Sequence, residues 1–183
     1  LLSLKLQVIN KTHLNTTNID VREAKDFENQ QLLMLLKLTL NETKDFPELS
    51  KIRTTKEIFE TYSKMCEENK PLWFIGLKNN TPVGIIIGQE NSDLKTIDIH
   101  YLGVIPSARR LGVASNLVNM ILQKSINQNI NNIYLSCDSR NTPAKRLYRK
   151  HGFITDSEKL VFLLPTNKER YSELSTSYPD FLY

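Results

Sequence analysis

The chain has 183 residues, with 24 Lys and Arg against 20 Asp and Glu, a net charge of +4 and a sequence pI near 9.0. Its 40% hydrophobic and 24% charged content is that of a globular domain large enough to bury a real core, and no apolar run approaches a membrane span. The mild basic excess suits an anionic ligand, whereas no long basic run, zinc-finger spacing or aromatic–basic alternation points to nucleic acid.

Residues 1–10 lack the basic start and continuous apolar block of a secretory signal. Leu2, Leu4, Leu6 and Val8 instead alternate with Ser3, Lys5 and Gln7, the pattern of a half-buried strand within an extra segment, 1–18. The first residue is not Met, which leaves room for a longer natural protein. A second strand is predicted over 19–22. Asp26 then stands where it can cap a helix carrying Phe27, Leu32, Leu35, Leu36 and Leu40. Residues 41–50, with Pro47, read as a loop. A second helix is predicted over 55–69, burying Ile58, Phe59, Tyr62 and Met65 and ended by Pro71. Three strands follow over 72–77, 83–89 and 96–104, joined by turns at 79–82 and 91–93.

The stretch Arg109-Arg110-Leu111-Gly112-Val113-Ala114 joins the last of these strands to an amphipathic helix with Ala114, Leu117, Val118, Ile121, Leu122 and Ile126 on one stripe. A helix N-terminus offers unpaired N–H groups and a positive dipole end, both suited to phosphate. Gly112 and Ala114 let a ligand reach the main chain, and the arginines add charged donors. Ile133, Leu135 and Cys137 alternate in a strand. A helix over 142–150 follows, with Pro143 in its first turn and Gly152 just past its end. Strands at 153–154 and 160–164 complete the order, while 166–183 is a polar tail that the pattern does not place. The two cysteines, Cys66 and Cys137, lie far apart without metal-ligand spacing, which argues against a disulfide framework and points to a reducing cytoplasm. One α/β (α+β) domain over 1–183, with a mixed, mostly antiparallel sheet flanked by helices, fits this order.

Three elements combine: the strand Ile97-Asp98-Ile99-His100-Tyr101-Leu102-Gly103-Val104; the turn Arg109-x-x-Gly112-x-Ala114; and Asn141-Thr142-Pro143-Ala144-Lys145-Arg146-Leu147-Tyr148 followed by His151-Gly152-Phe153. In this order and spacing, closest over 96–154, they resemble the GNAT (GCN5-related N-acetyltransferase) superfamily. The resemblance implies acetyl-CoA as co-substrate, no metal, and a sheet splayed at strand 96–104. It places the coenzyme A diphosphate on the N–H groups of Arg110, Leu111, Gly112, Val113 and Ala114, with Arg109 and the Ser115 hydroxyl nearby. The pantetheine arm would lie along Leu102, Gly103 and Val104, where the Leu102 N–H would stabilise the oxyanion, a contribution of roughly 3–4 kcal/mol.

Tyr148 falls at the position of the general acid for the departing thiolate. A phenol near pKa 10 holds its proton where a thiol near 8.5 does not. Ala144, Leu147 and Tyr148 share a helix face, and Asn141 can cap that helix and bond the cofactor. By alignment Asp98 takes the place of a glutamate base, with His100 on the same strand face. Glu42, Asp45 and Glu48 lie in the loop that shapes the acceptor side. His151 complements a helix C-terminus, and Trp73 and Phe74 read as core. The implied activity is direct N-acetyl transfer in a ternary complex to a primary amine, either a small molecule or a peptide N-terminus. The implied protein is a cytoplasmic monomer or homodimer without nucleic-acid or membrane partners. A non-catalytic acyl-CoA-binding or regulatory module is the other reading.

Overall fold

The computed structural model describes residues 1–8, 19–45, 47–48, 52–65 and 70–161. The strands are β1 (Leu2–Gln7), β2 (Asp20–Glu23), β3 (Lys70–Lys78), β4 (Thr81–Asn91), β5 (Thr96–Val104), β6 (Asn132–Cys137) and β7 (Ile154–Glu158). The helices are α1 (Asn29–Leu40), α2 (Thr55–Met65), α3 (Val113–Asn127) and α4 (Thr142–Lys150). All seven strands form one sheet in the order β2-β3-β4-β5-β6-β1-β7. Among the described residues only β5 and β6 run parallel; the other pairs are antiparallel. The mixed, mostly antiparallel sheet expected from the sequence is therefore present. No described helix is long and apolar enough to cross a membrane.

Strand alternation sends apolar side chains to both faces. On one face Ile97, Ile99, Ile133 and Leu135 pack with Val113, Leu117 and Ile121 of α3 and with Tyr148 of α4. On the other, Ile75, Ile85 and Ile87 meet Leu32 and Leu35 of α1, with Phe59, Tyr62, Trp73 and Tyr101 against them. The alternation of β5 breaks once. Ile87 faces Tyr101 while Gly88 faces Ile99, so His100 is the additional residue of a β-bulge. The bulge turns Tyr101 away from the face of Ile97 and Ile99 and towards α1. Pairing of β5 with β6 covers only Thr96 to Ile99, so the two strands part where the bulge begins. That is the splay expected at 96–104.

Several expectations need correction. Asp26 does not cap α1: it sits in a short 3-10 turn, and Glu28 is the N-cap, in a reciprocal capping box with Gln31. Phe27 consequently lies outside the helix. Pro71 occupies the second position of the strand β3, paired with Gln89 of β4 and beyond the reach of β2. Met65 is exposed rather than buried. The last strand is Ile154–Glu158, with residues 160–161 in no strand. Residues 162–164, the tail 166–183, Cys66 and the end of the second predicted helix lie outside the described residues. The N-terminal strand, unassigned by its pattern, inserts between β6 and β7.

Candidate functional site

The strand β5 delivers the chain to a tight turn at the start of α3. A 3-10 turn over Pro106–Ala108 leads to Arg109, then Arg110 at φ 67° and Gly112, the N-cap of α3, at φ 86°. The left-handed φ at residue 112 is the conformation that favours glycine. Below it, Val113 presses on the sheet at two other glycines: a Cβ on Gly84 would lie 2.7 Å, and one on Gly76 3.0 Å, from Val113 Cγ1. These contacts seat the helix terminus low on the sheet, and they left no mark that sequence pattern alone could read.

A cavity of about 530 Å³ lies between this turn, the splayed end of β5, α4 and the loop after α1. Of the residues expected to hold the cofactor, Leu102, Gly103, Val104, Arg109, Arg110, Gly112, Val113, Ala114, Ser115, Asn141, Ala144 and Tyr148 all line it. Leu111 does not; its side chain is exposed. Glu42, Asp45 and His100 also reach the wall. Thr39, Tyr101, Ser136 and Cys137 line it as well, although the sequence reading assigned them no role.

The side chains of this wall are largely tied to one another. Arg109 donates to the Val104 carbonyl at 3.2 Å and the Asn41 carbonyl at 2.7 Å, and meets Glu42 at 3.4 Å, so it fastens the loop after α1 to the turn before α3. The Ser115 hydroxyl lies 3.0 Å from His151 Nε2, while His151 Nδ1 lies 2.8 Å from the Leu147 carbonyl near the end of α4. With Nδ1–H donating to that carbonyl, Nε2 accepts from Ser115 and α3 is clasped to α4. Asn141 accepts from the Ala144 N–H as the cap of α4, and its side chain also bonds Asp45. Asp45 accepts from the Asp138 N–H at 2.6 Å, and burial raises its pKa.

Glu48 stands away from the cavity wall, held by Arg140 through two bonds of 2.8 and 3.0 Å. The same guanidinium binds the buried Asp138 at 2.6 Å. Paired with Arg140, Glu48 has a lowered pKa. Thr39 Oγ1 and the Tyr101 hydroxyl lie 3.0 Å apart where α1 crosses Gly103, and Tyr62 of α2 reaches the His100 carbonyl at 3.5 Å.

Tyr148 is buried, edge-on to Phe153 at 5.7 Å between ring centroids. Burial raises the pKa of its phenol, and among the described residues nothing bonds its hydroxyl. Cys137, also buried, has its thiol pushed up to about 11, chiefly by burial. Asp98 lies outside the main cavity. With His100 it lines a second one of about 380 Å³ with Ser3, Tyr134 and Ser136. Burial raises the pKa of Asp98 and lowers that of His100. Among the described residues no three His, Cys, Asp or Glu side chains gather to hold a metal ion.

The model of the acetyltransferase (GNAT) family matches residues 36–153, and the chain belongs to that family. Mycothiol acetyltransferase of Jonesia denitrificans is 28% identical over 86 residues, which are 47% of this chain and 27% of that relative. The chain thus spans only about a quarter of the length of the curated relative it matches. Among solved structures, Ard1 from Thermoplasma volcanium superposes with a TM-score of 0.60 at 21% identity, over 77% of this chain and 86% of that one. Arabidopsis thaliana Naa50, in complex with the bisubstrate analogue CoA-Ac-MVNAL, gives 0.61 at 22% identity, over 83% and 94%. At such identities these two establish a shared fold.

Proposed function

We infer that this chain transfers the acetyl group of acetyl-CoA directly to a primary amine in a ternary complex, with Tyr148 as the proton donor to the departing thiolate. The observation that carries this reading is the Tyr148 hydroxyl, set in the wall of the main cavity with no bonding partner among the described residues. A phenol is protonated at neutral pH and so has a proton to give; burial raises its pKa, which keeps it protonated until the charge of the departing thiolate develops beside it.

The residues around it fit a coenzyme A thioester. The first N–H groups of α3 have no intrahelical acceptor, and the cavity runs from them to Tyr148 along Leu102–Val104. The bound coenzyme supplies an activated acyl group. Leu102 would offer an N–H to the carbonyl oxygen. His100, kept neutral by burial, would take a proton from the incoming ammonium with Asp98 beside it. A C–N bond forms as the C–S bond breaks; the thiolate takes the Tyr148 proton, and the second proton of the amine restores the phenol through solvent. The amine is to be sought among both small molecules and peptide N-termini, given the names of the relatives. We place the protein in the cytoplasm as a monomer or homodimer.

Thiol release from acetyl-CoA against a panel of amines and peptides tests the reading, with Tyr148→Phe as the variant. A fall in kcat of about 10²-fold is expected. An unchanged kcat would overturn the acid role. Tight coenzyme A binding without thiol release for any amine would mark a non-catalytic acyl-CoA-binding module instead.

A further inference from the structure

Ser115 lines the main cavity from the first turn of α3, and His151 stands behind it as the C-cap of α4, off the cavity wall. His151 Nδ1 lies 2.8 Å from the Leu147 carbonyl oxygen, which can only accept, so Nδ1 carries a hydrogen in either charge state of the ring. The other nitrogen, Nε2, lies 3.0 Å from the Ser115 hydroxyl, and among the described residues that hydroxyl has no second partner. In the neutral ring Nε2 is an acceptor, and the Ser115 proton is committed to it. The serine then shows the cavity lone pairs alone. In the cationic ring Nε2 donates to the serine oxygen, and the hydroxyl proton is free to point into the cavity.

Two helix ends set the balance between these states. The C-terminal end of α4 favours a cation at His151. The N-terminal end of α3 opposes one. Asn116 is the first residue of that helix whose N–H meets an intrahelical acceptor, which leaves the N–H groups of Val113, Ala114 and Ser115 open among the described residues. An anion seated on those groups cancels the opposition and calls for a donor from the serine, and both effects select the cationic ring. Among the described residues no carboxylate pairs with His151 to select it in the absence of an anion. The charged side chains of the elements that meet here are Arg149 and Lys150 of α4 and Arg110 of the turn before α3, all exposed. Lys5 of β1 is turned to the Tyr134 ring, and β1 meets Gly152 through the apolar Leu6.

We propose that His151 is a positioning residue for the diphosphate of coenzyme A: it turns the Ser115 hydroxyl towards the phosphate and takes up a proton as the cofactor binds. That proton comes from solvent and rests on Nε2; no covalent bond of the cofactor is made or broken. The inference rests on the coenzyme A reading above and adds to it a residue off the cavity wall.

Calorimetric titration of the full chain with dephospho-coenzyme A tests it, in buffers of different ionisation enthalpy so that proton uptake is read directly. This probe keeps the diphosphate and lacks the phosphate monoester, which would itself titrate near neutral pH. The wild type is expected to bind about fivefold more tightly at pH 6 than at pH 8, taking up a fraction of a proton per molecule bound. His151→Gln offers the serine a permanent N–H donor, so it should bind equally at both pH values without proton uptake. Ser115→Ala should lose the same step with the imidazole in place, which keeps the test decisive if the glutamine variant fails to fold. A pH step that survives in either variant would overturn the proposal. A wild type whose affinity is flat over this range does the same and leaves the coenzyme A reading standing. Binding of coenzyme A but not of its dephospho form moves the recognised phosphate away from Ser115, and again sinks the proposal alone. A wild type that binds neither sinks both.

Discussion

Val113 rests directly on Gly84: a Cβ added to that glycine would come within 2.7 Å of Val113 Cγ1 and 3.2 Å of the Gly103 carbonyl oxygen. Gly84 belongs to β4, Gly103 to β5, and Val113 opens α3. One missing side chain thus fixes the height of the helix terminus above the strand expected to hold the cofactor. A site built on donors at a helix N-terminus depends on such seating, because hydrogen bonds weaken steeply as geometry drifts.

Gly84→Ala is therefore expected to cost about 1–3 kcal/mol of stability, the range for overpacking a filled core, and to weaken coenzyme A binding as α3 is pushed outwards. Urea unfolding and calorimetric titration with coenzyme A check the two effects. Adding Val113→Ala should recover part of both, giving a coupling that independent sites would lack. Strict additivity would show that the two residues do not press on each other.

The readable parts of this fold are those whose causes are local. The helix α4 begins at Thr142 and ends at Lys150 as its Asn141 cap, Pro143 and Gly152 predict. The turn into α3 was legible for the same reason. Asp26 was misassigned because Glu28 and Gln31 form a competing cap two residues on. The place of β1 depends on pairing with β6 and β7, more than 120 residues away in sequence, as in Leu4 with Leu135 and Lys5 with Ile154. No periodicity encodes that. The bulge at His100 was equally hidden, so two-residue alternation put Asp98 and His100 together but not Tyr101 on the side of α1.

Arg140 joins the loop after α1 to the start of α4 by gripping Glu48 and Asp138 together. Arg140→Ala is expected to free Glu48 and leave the buried Asp138 without its cation. Destabilisation and a raised KM for the amine should follow, with a smaller change in coenzyme A affinity. Arg140→Lys should restore little, because an ammonium cannot form the two-pronged bond that a guanidinium makes. Full rescue by lysine would mean that charge alone matters here.

The pair Asp98 and His100 sets the direction of a pH response. Burial holds the folded pKa of His100 below its usual 6.5. Its contribution to stability is therefore present above pH 6.5 and lost as pH falls through the lower folded value. Turnover should follow the same limb, with its acid-side midpoint below 6.5. Asp98 is shifted the other way, above its usual 3.8. The fold is favoured by this group below 3.8 and loses that advantage as pH rises through the folded pKa. Asp98→Asn should accordingly raise the thermal midpoint relative to wild type at pH 7 but not at pH 3.5, while weakening amine binding. A stability difference independent of pH would sink this assignment.

Cys137 lines the main cavity next to Tyr148, which invites a covalent acetyl-enzyme route. Its burial and a thiol pushed up to about 11 oppose that route, since only the thiolate attacks a thioester effectively. Direct transfer predicts that Cys137→Ala keeps kcat within about threefold, a barrier change of roughly 0.7 kcal/mol. It also predicts that intact-mass measurement after mixing with acetyl-CoA alone, followed by peptide mapping, finds no acetyl group on Cys137. An acetylated Cys137 that is discharged by added amine would replace the ternary complex with a two-step mechanism and move the acid role of Tyr148 to the first step.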